Sequence, residues 1–69
     1  MADYTKEVYR LLNKNGCIFV RRGKGDHNIY FSPYRNCHFS VDGKITIRHM
    51  ANKIMKDAGI NYKFYYNHL

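Results

Sequence analysis

The sequence predicts a small α+β domain with the element order α-β-β-β-α, in which two helices cover one face of a three-stranded antiparallel sheet. Two stretches, one near the amino end and one after residue 44, carry apolar residues at helical spacing. Three short stretches between them are rich in β-branched and aromatic residues and are separated by Gly- or Pro-containing turns. The chain has 69 residues, which suits one domain over residues 1–69 with a core too small to enclose a deep cavity. Any chemistry is therefore expected at the surface.

The first helix is predicted from about residue 4 to residue 14. Asp3 can accept hydrogen bonds from the first free backbone N–H groups, and Asn15-Gly16 supplies the left-handed residue that commonly ends a helix. The residues at helical spacing that predict its buried face are Tyr4, Val8, Leu11 and Leu12.

The middle of the chain predicts three strands joined as an antiparallel meander. The strands cover residues 17–22, 27–32 and 37–41, with tight turns at 23–25 and 33–36. The uncovered face of this sheet is expected to be exposed to solvent. The same order of elements occurs in double-stranded-RNA-binding domains.

The alternation of side chains predicts which strand residues lie under the helices. In the second strand, Ile29 and Phe31 are expected to face the helices and Tyr30 the open face. In the third strand, Phe39 and Val41 are expected to face the helices. By the same parity His27 shares the side of Ile29 and Phe31, unless a local bulge turns it outward.

The second helix is predicted to begin at an N-cap, Thr46, and to end at Gly59. Residues 61–69 follow as an aromatic C-terminal extension that either closes the core or docks a partner. The apolar stripe of the helix consists of Ile47, Met50, Ala51, Ile54, Met55 and Ala58.

Charge and cysteine usage narrow the function classes. Twelve Lys and Arg residues against five Asp and Glu give a formal net charge of +7, which favours an anionic partner such as nucleic acid. Cys17 and Cys37 are too few for a secreted disulfide scaffold, so we expect two buried free thiols in the reducing cytoplasm. The sequence shows neither a signal peptide nor a run of membrane-spanning length, and no membrane role is expected.

The stretch RRGKGDHNIYF, residues 21–31, concentrates residue types that can act on a phosphodiester. Cations lie close to His27 in the chain, and glycines on both sides of Lys24 leave room for a phosphate beside the backbone. An imidazole can take the proton of an RNA 2′-hydroxyl, and fixed positive charge can stabilise the phosphoryl oxygens. No helix follows the glycines, which excludes a Walker loop. The alternative is an ordinary surface histidine beside a turn.

The predicted catalytic residue is therefore His27. Tyr30, Lys24 and His38 are candidates for a second proton carrier. No metal-ligand spacing such as CxxC or HExxH occurs, so we expect neither a metal nor a cofactor. Lys44 and Arg48 add positive charge at the start of the second helix, where a phosphate track and a solvated helix face are both open interpretations. The predicted RNA- or phosphate-binding residues are Arg21, Arg22, Lys24, Gly25, Tyr30, Lys44 and Arg48.

Four segments in register resemble the HicA-type toxins, the small RNases of bacterial toxin–antitoxin pairs. They are LLNKNGCIFVRRGKGDH, IYFSP, VDGKI and KIMKDAGI, and the resemblance runs from about Lys6 to Ile60. It implies a double-stranded-RNA-binding-like fold, metal-independent cleavage of messenger RNA, and neutralisation by a cognate HicB-like antitoxin. His27 matches the position of the family's catalytic histidine at the start of the second strand.

The sequence departs from the family pattern at two places. Asp26 stands where the family more often has serine, and a carboxylate there either orients the imidazole, favours its protonated form or repels phosphate. Val41-Asp42-Gly43 replaces a Pro-x-His element, so no role for a second histidine is carried over.

These observations lead to one principal hypothesis and two alternatives. The principal hypothesis is the toxin of a type II toxin–antitoxin system, a metal-independent endoribonuclease that uses His27 as catalytic acid or base on messenger RNA. Its antitoxin is expected to cover His27. The alternatives are a non-catalytic RNA-binding module of the same fold and a protein-interaction domain that meets an acidic partner.

Overall fold

A computed structural model of the protein describes residues 3–65. The strands form one antiparallel sheet in the order β1-β2-β3, and the predicted α-β-β-β-α order is confirmed. None of the helices in this described part is both long and apolar enough to cross a membrane. In chain order the elements are α1 (Thr5–Lys14), β1 (Ile18–Arg22), β2 (His27–Ser32), β3 (Cys37–Asp42) and α2 (Arg48–Ala58).

The limits of α1 follow from its end residues, as the sequence predicts. The Thr5 backbone N–H donates to Asp3 Oδ1 at 3.0 Å, which satisfies one of the free donors of the first turn. Gly16 has a φ of +81°, the left-handed conformation expected after the helix. Val8 and Leu12 on the inner face are completely buried, so packing against the sheet and α2 stabilises the helix.

The start of α2 differs from the prediction. The helix begins at Arg48, Ile47 takes the N-cap position, and Thr46 does not cap it. Ile45 explains the shift, because it is completely buried and its carbonyl accepts the Tyr4 N–H at 2.8 Å. These contacts hold the preceding segment extended, and they leave Ile47 55% exposed rather than in the apolar stripe.

The predicted side-chain parity of β3 is confirmed and that of β2 is wrong. Phe39 and Val41 are buried under the helices, and the β2 residue opposite Phe39 is Tyr30, also buried. Ile29 and Phe31 lie on the open face instead, half-buried. Side chains alternate along β2, so His27 lies on the same face as Ile29 and Phe31. Its partner in the pairing of β2 with β3 is Asp42.

Hydrogen bonds explain why the more polar side of β2 is the buried one. Ser32 is fully buried, and its hydroxyl donates to the Ala58 carbonyl at 2.6 Å and accepts the Arg35 N–H at 3.1 Å. Asn28 donates its side-chain amide to the Tyr9 hydroxyl at 2.9 Å. A buried polar group with its partners in place costs little, so counting apolar residues alone misassigns this strand.

A β-bulge in β1 separates its two arginines. Phe19 pairs with Tyr30 and Arg21 pairs with Ile29, so Val20 is an extra residue without a partner of its own. Because cross-strand partners share a face, Arg21 lies on the open face with Ile29. Arg22 pairs with Asn28 and therefore lies on the helix side.

The two cysteines have different environments. Cys17 is a buried free thiol, as predicted. The prediction of a buried Cys37 is wrong, because this residue begins β3 at the outer edge of the sheet and is exposed.

The aromatic extension closes the core at one residue. Phe64 is buried, its N–H donates to Asn52 Oδ1 at 2.7 Å, and its carbonyl accepts the Asn52 amide at 3.0 Å. Tyr62 and Tyr65 are exposed. The remainder of the predicted extension, residues 66–69, lies outside the described residues.

Candidate functional site

His27 lies at the first position of β2, directly opposite Asp42 at the last position of β3. Its Nδ1 is 3.1 Å from Asp42 Oδ1. The imidazole is 47% exposed and the carboxylate 29% exposed, so the pair is open to a ligand yet partly shielded from water. A carboxylate on Nδ1 selects the tautomer with a proton on that nitrogen, and it leaves Nε2 as the atom that exchanges protons with a substrate.

Two backbone hydrogen bonds shape the turn beside this pair. The Gly23 N–H donates to the His27 carbonyl at 2.7 Å, and the Gly43 N–H donates to the Asp26 carbonyl at 2.7 Å. Gly25 has a φ of +62°, and a side chain there would meet nothing within 4 Å. Gly25 therefore serves the turn conformation, and its backbone is open to an approaching phosphate.

Asp26 is directed towards Gly43. A Cβ on Gly43 would lie 2.5 Å from Asp26 Oδ1, so a side chain at position 43 would require this exposed carboxylate to move. The carboxylate that holds the imidazole of His27 is that of Asp42. Asp42 was not among the predicted site residues, because the third strand was predicted to end at residue 41.

Tyr9 of α1 connects the helix to the end of β3. Its hydroxyl donates to the Asp42 carbonyl at 2.8 Å and accepts the Asn28 side-chain amide at 2.9 Å. Burial raises the pKa of Tyr9, the Asn28 hydrogen bond opposes this, and the nearby carboxylates of Asp26 and Asp42 add to the rise. The phenol is therefore a neutral, fixed donor that positions the backbone of Asp42.

The predicted cations near His27 divide between the two faces of the sheet. Arg21 is exposed on the open face, the face of His27, and its Nη1 donates to the Arg22 carbonyl at 3.2 Å. Lys24 is exposed in the turn that leads into β2. Arg22 lies on the helix side, close enough to Tyr9 for its charge to oppose the rise in the tyrosine's pKa.

The remaining predicted site residues are Tyr30, His38, Lys44 and Arg48. The prediction that Tyr30 is on the open face is wrong, because its ring is 6% exposed and packs 5.8 Å from the Tyr9 ring. His38 is on the open face but near the opposite end of β3 from Asp42. Lys44 lies in the segment between β3 and α2, and Arg48 is the first residue of α2. Within residues 3–65, no group of three or more His, Cys, Asp or Glu side chains could hold a metal ion.

A comparison with protein families identifies the class of this chain. The family described as HicA toxin of bacterial toxin-antitoxin matches residues 5–60. The chain belongs to the HicA toxin family. No curated protein and no solved structure matches it.

The family match gives this HicA-family chain its general role, a toxin of a bacterial toxin–antitoxin system. The match extends from the start of α1 to just beyond α2, so His27, Asp42 and Tyr9 all lie within it. The likeness to double-stranded-RNA-binding domains stays a prediction from the order of the elements.

Proposed function

We propose that this toxin of a type II system is a metal-independent endoribonuclease that cleaves messenger RNA in the cytoplasm, with His27 as its catalytic acid–base. The observation that carries the proposal is the half-exposed imidazole whose Nδ1 is held by Asp42, with Arg21 on the same face of the sheet. An oriented imidazole beside fixed positive charge is the arrangement that RNA transesterification uses.

In the proposed reaction, His27 Nε2 accepts the proton of the 2′-hydroxyl, and the 2′-oxygen attacks the adjacent phosphorus. The bond from phosphorus to the 5′-oxygen breaks, and that oxygen takes a proton as it leaves. The products are a 2′,3′-cyclic phosphate and a 5′-hydroxyl. Asp42 keeps Nε2 directed at the substrate, and Arg21 and Lys24 stabilise the charge on the non-bridging oxygens.

The proton for the leaving oxygen is assigned to Lys24. A proton donor must come within about 3 Å of the atom that it protonates. Tyr30 is buried, and His38 lies four residues along β3 from Asp42, about 13 Å at the usual strand rise. Lys24 is exposed in the turn three residues before His27, which makes it the proposed donor among the three candidates.

The test is cleavage of single-stranded RNA in EDTA, resolved on a denaturing gel, with the wild-type protein and the variants His27→Ala, Lys24→Ala and His49→Ala. Loss of the general base is expected to slow cleavage by about 10²- to 10⁴-fold. His49 is exposed on α2 and serves as the matched histidine control, with cleavage unchanged.

The outcomes of this assay separate the hypotheses. A folded His27→Ala protein that cuts RNA at the wild-type rate contradicts the catalytic assignment. Cleavage that EDTA abolishes contradicts the metal-independent reaction. RNA that is bound but intact with the wild-type protein supports the non-catalytic RNA-binding module instead.

A HicB-like antitoxin is the proposed protein partner, and we place its contact over His27 and the adjacent turn. Covering a cationic site with acidic or apolar groups blocks RNA, and binding to the native state also stabilises so small a domain. Complex formation is expected to shift the amide NMR signals of residues 21–30. Unchanged signals in this segment would place the antitoxin elsewhere.

A further inference from the structure

The open face of the sheet carries an aromatic pair that the proposed reaction does not use. Phe31 of β2 and His38 of β3 are cross-strand partners, with ring centroids 5.2 Å apart and planes at 67°. Phe31 is half-buried and His38 is exposed, and neither α1 nor α2 covers this face. Ile18, opposite Phe31 on β1, is 60% exposed and extends the same apolar surface.

The surroundings of this pair are positively charged. Arg21 lies opposite Ile29, the open-face residue of β2 between His27 and Phe31. On the other side, a cavity of about 330 Å³ between β3 and α2 is lined by His38, Arg35 and Lys53. One carboxylate, Asp57, also lines this cavity, and it is 3.1 Å from the Lys53 ammonium.

The acidic group nearest to His27 on this face is itself engaged. Asp42 is paired with the imidazole at 3.1 Å, so its charge is directed at His27 rather than at the aromatic pair. A polyanion is therefore attracted along the face from the turn to the cavity. An acidic protein segment would share that attraction, but an unpaired nucleic acid supplies a flat base beside every phosphate, which matches an aromatic pair flanked by positive charge.

We propose that the open face is a binding platform for single-stranded RNA, in which nucleobases stack on Phe31 and His38 while the strand runs past Arg21 to the scissile phosphate at His27. This inference rests on the proposed RNase function and names the form of its substrate. Aromatic side chains on an uncovered sheet bind unpaired bases by stacking, whereas a duplex keeps its bases stacked inside.

The spacing along β2 suits this arrangement. Phe31 is four residues from His27, which is about 13 Å at the strand rise of 3.3 Å per residue. A stacked strand advances about 3.4 Å per nucleotide, so the platform holds bases about four nucleotides from the cleaved bond. Substrates too short to reach the platform lose its contribution to binding.

The experiment uses the His27→Ala protein, which keeps the RNA intact, and a fluorescein-labelled single-stranded oligoribonucleotide of ten nucleotides. Phe31→Leu, His38→Ala and, as control, Tyr65→Leu are each added to it. Tyr65 is 71% exposed, and its replacement removes an equally accessible aromatic ring elsewhere. Losing a stacked base weakens single-strand binding by about 5- to 100-fold, and we expect Kd increases of this size for the first two variants only.

A second arm identifies stacking as the cause. An abasic nucleotide is placed in the labelled RNA about four positions from the bond that the wild-type protein cleaves. This change should weaken binding to the His27→Ala protein and leave binding to the His27→Ala, Phe31→Leu protein nearly unchanged. This non-additivity is the signature of a direct contact. A fully paired duplex of the same sequence should show no difference between the Phe31→Leu and Tyr65→Leu variants.

Equal Kd values for all four proteins would overturn the platform, even if the wild-type protein cleaves RNA. Conversely, a protein that binds as expected but never cuts RNA would contradict the proposed reaction and leave the platform supported. Variants that lose affinity equally for single strands and duplexes would also overturn it, because stacking on unpaired bases would not be the cause.

Discussion

At the scale of single residues, the orientation of His27 depends on Asp42. The carboxylate contacts Nδ1 at 3.1 Å, and the backbone of the same residue is held by the Tyr9 hydroxyl at 2.8 Å. One residue thus connects the imidazole to a helix on the other side of the sheet. The proposed acid–base nitrogen, Nε2, is directed by this chain of contacts rather than by the turn glycines.

Replacing Asp42 by asparagine tests that role. The substitution keeps the shape of the side chain but removes the negative charge that lies 3.1 Å from His27 Nδ1. We expect kcat for RNA cleavage to fall about 10- to 100-fold with KM nearly unchanged. Glu7→Gln is the control, because it makes the same change of charge in an exposed pair with Arg10 on α1. A purely structural role for Asp42 would instead lower stability and leave kcat per folded molecule unchanged.

Tyr9→Phe tests the connection to α1. The change removes one hydroxyl and leaves the Asp42 carbonyl and the Asn28 amide without their partner. Leaving such groups unsatisfied costs about 1–3 kcal/mol, which urea unfolding should register as a lower midpoint. Tyr62→Phe removes a hydroxyl from an exposed ring and should leave the midpoint unchanged. Equal midpoints for the two variants would show that the Tyr9 hydrogen bonds contribute nothing net.

The position of Asp42 could have been predicted from the sequence. A turn over residues 33–36 places Ser32 opposite Cys37, and each step along β2 then matches one step along β3. Five steps bring His27 opposite Asp42. The contact of the carboxylate with Nδ1 could not be obtained this way, since it depends on side-chain rotamers that strand pairing does not determine.

At the scale of elements, the bulge in β1 decides which arginine shares a face with His27. In a regular strand Arg21 would lie on the side of Phe19, under the helices. The extra residue Val20 shifts the alternation, so Arg21 is on the open face and Arg22 on the helix side. Sequence reasoning treated the two arginines as equivalent, because nothing in the pattern of Cys17 to Arg22 marks a bulge.

Arg21→Ala and Arg22→Ala make the same change of net charge, so the difference between them reports position. For the Arg21→Ala protein, we expect the negative slope of log binding constant against log salt concentration to be shallower by about 0.7. This is the value for one phosphate contact on a single strand. The Arg22→Ala protein should keep the wild-type slope. Equal slopes for the two variants would contradict the placement of Arg21 on the RNA-binding face.

The inverted parity of β2 shows a limit of patterns at this scale. Ile29 and Phe31 are the most apolar pair of the strand, yet Tyr30 and Ser32 are buried in their place. The register with β3 puts Tyr30 opposite Phe39 under the helices. A single strand cannot reveal this, because the partner strand and the available hydrogen bonds decide which face is covered.

At the scale of the whole molecule, two buried groups and one partly buried group predict how stability depends on pH. Burial raises the pKa values of Cys17, Tyr9 and Tyr30, so each keeps its proton in the folded state at a pH where the unfolded chain releases it. The contribution of these groups to the free energy of unfolding is therefore fully present below their pKa values in the unfolded chain, which are about 8.5 for Cys and about 10 for Tyr. This contribution is lost as the pH rises through their pKa values in the folded state.

The urea midpoint is expected to be constant from about pH 7 to 8 and to fall above about pH 8.5. Cys17→Ala should remove the first part of this fall, between about pH 8.5 and 10, whatever it does to stability at neutral pH. A Cys17→Ala protein whose midpoint falls as steeply as the wild type over this range would contradict the assignment.

The amino-acid sequence by itself determined the order of the elements, the ends of α1, the left-handed residue that closes α2 and the position of His27 at the start of β2. These features depend on short-range chemistry: helical spacing, glycine conformations and turn residues close together in the chain. The tertiary structure alone decided the contact of the Asp42 carboxylate with the His27 imidazole and the separation of Arg21 from Arg22. The first depends on side-chain rotamers and the second on a bulge in β1, and local patterns encode neither.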